Sequence, residues 1–133
     1  MIIDSSALIA ILTNEPDGPV LARAMNEPAT LSISAASYLE TSIVIDKQRD
    51  PVLSAGLDDL LEDAKITVES VTVEQAKIAR QAYRDYGRGS GHRANLNFGD
   101  CFSYALARIK REPLLFKGDD FVHTDLRSAI QQP

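Results

Sequence analysis

The chain has 133 residues, of which 44% are hydrophobic and 25% charged, so it is long enough to bury a core and has the composition of an ordinary globular domain. Its single cysteine excludes an internal disulfide, no apolar run is long enough for a membrane span, and the N-terminus lacks the basic start of a signal peptide, so we expect a cytoplasmic protein with no membrane partner. The net charge of −5 by itself argues against a nucleic-acid partner.

The first half of the chain alternates apolar runs with helix signals. Its predicted elements are a strand over 1–4, a helix from Ser5 or Ser6 to Thr13, a helix over 19–26, a strand over 30–33, a helix over 34–48 and a helix over 51–64. The breaker cluster 14–18 separates the first two helices, and Ser34 is placed to cap the third.

The second half continues the alternation. Its predicted elements are a strand over 65–69, a helix ending at Tyr86, a loop over 87–97, a helix from Asp100 to about Lys110 and a strand over 114–116. Thr72 and Gln75 form a capping-box pattern ahead of the first of these helices. Strands alternating with helices at these spacings predict a single α/β domain over 1–133, with a doubly wound parallel sheet flanked by helices.

The charges are distributed unevenly along this predicted fold. Residues 1–76 carry 13 acidic and 4 basic side chains, whereas residues 77–117 carry 3 acidic and 9 basic ones, a net of +6. The basic segment includes Arg88 and Arg93 in a glycine-rich loop just before Asp100. A solvated helix face is one interpretation of this segment, and a surface that holds a phosphate backbone is the other.

Several acidic residues follow apolar strands or begin helices. Asp4 follows the first predicted strand, Asp100 stands at the head of a helix, and Asp119 and Asp120 follow the last strand by a short turn. Each is individually typical of a helix cap or a polar turn. Glu40, at the margin of an apolar helix face, is individually typical of a solvated stripe-edge residue.

Together these acids favour a different interpretation. A parallel sheet brings the ends of its strands to one edge, and carboxylates gathered there repel one another unless a cation neutralises them. A set of oxygen ligands without accompanying cysteine or histidine indicates Mg²⁺ or Mn²⁺, and such ions can drive phosphodiester cleavage. Ser6, in the same turn as Asp4, is placed either to bond a carboxylate or a substrate phosphate, or to face solvent from the helix.

Four segments of the chain resemble PIN-domain toxins of the VapC type. They are MIIDSSAL at 1–8, ASYLET at 36–41, LNFGDC at 96–101 and LLFKGDDF at 114–121, and they occur in the family's order and spacing. The resemblance implies a PIN-like fold and an endoribonuclease dependent on Mg²⁺ or Mn²⁺. It also implies a homodimer that is held inactive by a cognate VapB-like antitoxin.

The resemblance also carries over site residues by position. Asp4, Glu40 and Asp100 match the family's core acids, and Asp119 and Asp120 both lie in the segment that supplies the fourth. The hypothesis is that the aspartates bind metal, that Glu40 binds metal or orients the attacking water, and that Ser6, Arg88 and Arg93 contact the RNA substrate.

Two alternatives belong to other classes of protein. A phosphoacceptor signalling domain shares the doubly wound sheet, but it needs paired acids after the first strand, where this chain has only Asp4. A non-catalytic PIN-like binding module would keep the scaffold, although such a module usually loses one of the acids, and here all of them are present.

Overall fold

The computed structural model describes residues 1–130. In chain order the elements are β1 (Ile2–Ile3), α1 (Ser5–Leu12), α2 (Gly18–Ala24), β2 (Leu31–Ser34), α3 (Ala35–Asp46), α4 (Pro51–Asp63), β3 (Ile66–Glu69), α5 (Val73–Tyr86), α6 (Phe98–Lys110) and β4 (Leu114–Leu115). The four strands form one sheet in the order β3-β2-β1-β4, and every pairing in it is parallel. The predicted α/β fold with a parallel sheet is confirmed.

The order of the strands places the sheet's switch point beside β1. The chain moves outward from β1 through β2 to β3 and then returns to pair β4 with the other side of β1, with Ile2 opposite both Ser32 and Leu114. Ligands of open α/β sheets bind outside the carboxyl ends of the strands at such a switch point. The residues that follow β1 and β4 therefore occupy the expected position of a site.

The sheet has helices on both faces because successive side chains of a strand point in opposite directions. Ile2 and Leu114 pack with α5 and α6 in one apolar core, and Ile3 and Leu115 pack with α1, α2 and α4 in the other. All four side chains are buried. The strands β1 and β4 therefore need only two residues each, since one residue of each strand is buried in each of the two cores.

Side-chain caps fix where several helices begin. The predicted caps at Ser34 and Thr72 are confirmed: each side-chain oxygen accepts a hydrogen bond from an amide of the helix it precedes. The prediction that the sixth helix begins at Asp100 is wrong, because Asn97 caps it and Phe98 is its first residue. Asp100 is the third residue of α6 and completes a capping box with Asn97.

Other boundaries differ from the predictions by one or two residues, as is usual where helix ends fray. β1 and β4 are shorter than predicted, and α3 ends at Asp46 rather than at residue 48. Within residues 1–130, none of the helices has both the length and the hydropathy needed to cross a bilayer.

Candidate active site

Asp4 is held at the carboxyl end of β1 by contacts from three elements. One carboxylate oxygen accepts hydrogen bonds from the Ser6 amide at 3.0 Å and the Ser6 hydroxyl at 2.6 Å, and the other accepts one from the Ser103 hydroxyl of α6 at 2.5 Å. Ser6 in turn accepts a bond from the Lys117 amide just beyond β4, at 3.0 Å. Asp4 is buried, and its position joins β1, α6 and the end of β4.

Ser6 bonds the carboxylate of Asp4, one of the two partners predicted for it. Its hydroxyl donates to Asp4 and accepts from Lys117, so both contacts are internal to the protein. This arrangement makes Ser6 a positioning residue for Asp4, and its contact with a substrate phosphate stays a prediction.

Asp100 enters the site from the first turn of α6. Its carboxylate accepts a hydrogen bond from the backbone N–H of Asn97 at 3.0 Å, and its own backbone N–H donates to the side-chain oxygen of Asn97 at 2.9 Å. Ser103, one helical turn later, faces the same way and donates to Asp4. The first two turns of α6 therefore supply one acid and hold a second.

Of the two acids after β4, Asp120 is the one that reaches Asp100. The negative charge of Asp120 raises the pKa of Asp100, so the two carboxyl groups lie close together. Within residues 1–130 the Asp119 side chain forms no hydrogen bond or salt bridge, and its backbone carbonyl accepts a hydrogen bond from the Val122 amide in the same turn. Gly118 precedes the pair with a φ of 98°, a left-handed conformation that favours glycine.

Glu40 reaches the same site from α3. The Ser5 hydroxyl donates to one of its carboxylate oxygens at 2.5 Å, and the other oxygen lies directly against the α carbon of Gly99. A methyl group on Gly99 would overlap this carboxylate. Glycine at this position is therefore what allows a carboxylate of α3 to lie beside the acidic turn of α6.

The electrostatics of the site are set by burial among like charges. Burial is the main cause that raises the pKa of Asp100 to about 7; the hydrogen bond from the Asn97 backbone opposes the rise, and the negative charges of Asp4 and Asp120 add to it. No salt bridge within residues 1–130 involves any of these acids; the nearby Lys117 pairs with Glu15 at 3.1 Å. The protein itself leaves this charge largely uncompensated.

The donor set fits a divalent cation that prefers oxygen ligands. Within the described part of the chain, no three Asp, Glu, His or Cys side chains are already arranged to hold one ion. A cation beside Asp4, Asp100 and Asp120 would relieve the repulsion that raises the pKa of Asp100.

The two predicted substrate arginines lie outside this cluster of acids. Arg88 lines a groove between α5 and α6, and Arg93 is exposed on the 87–97 loop. Cys101, predicted to be a small buried thiol, is buried as expected, and burial raises its pKa to about 11. It is therefore protonated and a poor nucleophile at neutral pH.

Sequence reasoning missed Ser5, Gly99 and Ser103. A signal existed for Ser103, a polar residue three positions after Asp100 on the same face of a helix otherwise lined by apolar side chains. Ser5 and Gly99 belong to the site because both contact the Glu40 carboxylate. These contacts join residues far apart in the chain, so no local sequence pattern indicates them.

The contact between Asp120 and Asp100 predicts unequal effects of two matched variants. Asp120→Asn should lower nuclease activity at least about tenfold, since it removes a charge beside Asp100, whereas Asp119→Asn should change it less than about twofold. Initial rates on one RNA substrate, at equal folded concentration, would measure both. The opposite order, with Asp119 the sensitive position, would contradict this placement.

The family model described as PIN domain matches residues 1–126. The chain is 57% identical over 132 residues to ribonuclease VapC28 of Mycobacterium tuberculosis, covering 99% of each chain. It is 50% identical over 129 residues to ribonuclease VapC of Mycolicibacterium smegmatis, covering 97% of this chain and 99% of that one.

Two solved structures share the fold. VapC20 of Mycobacterium tuberculosis, described as a sarcin-ricin loop cleaving toxin, aligns with a TM-score of 0.73 at 18% identity, over 94% of this chain and 95% of that one. A toxin-antitoxin complex from Klebsiella pneumoniae aligns with a TM-score of 0.71 at 16% identity, over 93% and 92%. At these identities the likeness concerns the fold alone.

Proposed function

Because this chain belongs to the PIN-domain family, as one of its VapC ribonucleases, we propose that Asp4, Asp100 and Asp120 hold the catalytic metal and that Glu40 acts beside them. The protein is an endoribonuclease and the toxin of a type II toxin–antitoxin pair. The observation that supports the proposed residues most directly is the joining of β1, α3, α6 and the turn after β4 at one point.

We propose Mg²⁺ or Mn²⁺ as the ion, within a family whose nucleases depend on metal in general. When bound, the ion would lower the pKa of a water molecule and stabilise the charge that develops on the phosphate during cleavage. Asp4, fixed by Ser6 and Ser103, and Asp100, fixed by Asn97, would present their carboxylates without large rearrangement. Asp120, on an exposed turn, would close the site.

Glu40 has a separate role in this proposal. Ser5 fixes one of its carboxylate oxygens, and the other lies beside the first turn of α6. A carboxylate held in this way can orient a water molecule and accept its proton as the water attacks the phosphate. Its position on α3 sets it apart from Asp4 and Asp120, which follow strands, and from Asp100 on α6.

Cleavage of RNA in the presence and absence of metal tests the proposed site. We expect the purified, antitoxin-free chain to cut total cellular RNA into discrete fragments with Mg²⁺ or Mn²⁺, and we expect EDTA to stop the reaction. The Asp100→Asn protein, prepared in parallel, controls for contaminating nuclease. Cleavage that persists in EDTA would contradict the metal assignment.

We propose that the partner protein is a VapB-like antitoxin, because VapC toxins pair with antitoxins. The phosphoacceptor alternative is not supported, since the relatives at 50–57% identity are ribonucleases. A cytoplasmic location, expected from the single unpaired cysteine, stays a prediction.

We also propose a homodimer that forms through α3. Leu39 and Ile43 stand one helical turn apart on this helix and are 57% and 55% exposed, as expected of an apolar face that a partner covers. We expect light scattering to give twice the chain mass for the wild type and the monomer mass for the Leu39→Ser, Ile43→Ser double variant. Val52→Ser, at a position of α4 that is 81% exposed, should remain dimeric. A wild type that is monomeric at all concentrations would contradict this proposal.

A further inference from the structure

A groove of about 960 Å³ runs between α5 and α6, separate from the cluster of acids. Its walls combine cationic and aromatic side chains, a mixture that an apolar core does not contain. The residues that give it this character are Arg80, Tyr83, Arg84, Arg88, Phe98 and Phe102. Neither the chemistry of the acids nor the packing of the sheet uses these side chains.

The cations of the groove stand in a row. Arg80, Arg84 and Arg88 follow one another at four-residue spacing along α5 and just beyond it, and all three are exposed. Within residues 1–130 none of them forms a salt bridge, whereas Arg108, Lys110 and Lys117 are each paired with a carboxylate. In a chain of net charge −5, a row of uncompensated arginines favours a polyanionic ligand.

The aromatic rings of the groove are open to solvent. Phe98 is 78% exposed and Tyr83 is 45% exposed. The Phe98 ring meets Phe102 edge to face, with centroids 4.9 Å apart, so one helix neighbour supports the ring while its other side stays free. Exposed aromatic rings beside a row of cations are the usual platform on which unpaired bases stack.

One residue, Asn97, connects the groove to the proposed catalytic residues. Asn97 lines the groove, and its amide donates directly to the Asp100 carboxylate at 3.0 Å. The groove therefore lies near enough to Asp100 to receive nucleotides adjacent to a phosphate that is held there. A base pair cannot use the groove in this way, because the bases of a duplex are stacked on one another and their faces are not available.

We propose that this groove is a substrate subsite that binds unpaired nucleotides next to the scissile phosphate. Phe98 and Tyr83 stack with bases, and Arg80 and Arg84 contact the phosphates that link them. The inference rests on the proposed nuclease site for its direction, but it concerns residues outside that site. It makes the enzyme select single-stranded segments of RNA through stacking, in addition to any selection at the acids.

Binding without cleavage tests the subsite. Fluorescence anisotropy would measure the affinity of the Asp100→Asn protein, in EDTA, for a labelled single-stranded RNA of about twelve nucleotides and for the same sequence as a duplex. Adding Phe98→Ala should weaken single-strand binding about tenfold, the loss typical of one stacked base. Adding Arg84→Ala should weaken it and lower the slope of log affinity against log salt by about one.

Matched substitutions outside the groove provide the controls. Arg23→Ala removes the same charge from α2, and Val73→Ala removes an exposed apolar side chain from the start of α5; each should change affinity less than about twofold. Equal effects of Phe98→Ala and Val73→Ala, or duplex binding as tight as single-strand binding, would overturn the proposal. A change of oligomeric state on Phe98→Ala would also overturn it, because it would make the groove a contact between two copies of the chain.

The outcome separates this inference from the proposed function. The binding measurement needs neither metal nor turnover, so it measures the contribution of the groove to RNA affinity even if Asp100 has no catalytic role. Conversely, metal-dependent cleavage by the wild type together with unchanged binding of the Phe98→Ala protein would refute the subsite and leave the nuclease site intact.

Discussion

Asp100→Asn should reduce RNA cleavage by at least about 100-fold and leave the fold intact. The substitution removes a negative charge from the buried centre of the acids, which is worth several kcal/mol of transition-state stabilisation where a metal acts on phosphate. Asparagine keeps a side-chain oxygen that can accept the Asn97 amide, so the cap of α6 is preserved. Initial rates of RNA cleavage at saturating Mg²⁺ or Mn²⁺ would measure the loss, and full activity would refute the assignment.

The same variant has a stability signature that a misfolded protein would not show. The folded-state pKa of Asp100, about 7, lies above its ordinary value of 3.8. The stability that the protonated group contributes is complete below pH 4 and is lost as pH rises through 7. In EDTA, the Tm of the wild type should therefore fall relative to that of Asp100→Asn between pH 5 and pH 8. Parallel curves for the two proteins would contradict this.

Asp4→Asn should also abolish most RNA cleavage, and it tests the site independently of Asp100. Its oxygens accept from Ser6 and Ser103, and an asparagine amide can donate to the Ser103 hydroxyl in place of the lost acceptor. We expect the same loss of cleavage as for Asp100→Asn, and a cooperative thermal transition that shows the protein is folded.

Gly99→Ala should separate stability from activity. Alanine is favoured over glycine inside a helix by about 1 kcal/mol. Because Gly99 lies in the first turn of α6, the higher helix propensity of alanine should stabilise the folded variant. The added methyl group would, however, overlap the Glu40 carboxylate and displace it from the site. Misplacement of a catalytic group by about 1 Å can cost about 100-fold in rate, and we expect a loss of that size.

Gly56→Ala is the matched control for this prediction. Gly56 lies within α4, where an added methyl group would meet only the end of the Leu12 side chain, at 3.7 Å, an ordinary contact. This variant should gain helix propensity and keep full activity. Cleavage rates and thermal melts of the two variants would be compared side by side. Normal cleavage by Gly99→Ala would show that the position of Glu40 is not required.

Much of the scaffold could be read from local patterns. The apolar runs that became β1, β2 and β4, the caps at Ser34 and Thr72 and the breaker before α2 act over a few neighbouring residues, so periodicity and side-chain chemistry were sufficient. The start of α6 was placed wrongly because Asp100 looks like a cap in sequence. Either residue could cap the helix, but the N-cap residue must have extended backbone geometry, and Asn97 is the one that has it.

By itself, the sequence determined the alternation of strands and helices, the candidate acids and, through four motifs, the family. Only the tertiary structure decided how those acids meet. The switch of strand order around β1 brings Asp4 beside the turn after β4, α6 adds Asp100, and that turn directs Asp120 rather than Asp119 toward it. The contacts of Ser103 with Asp4 and of Glu40 with Gly99 span 99 and about 59 residues of chain. Local propensity acts within a turn or two, whereas these distances are closed only when both faces of the sheet bury their cores.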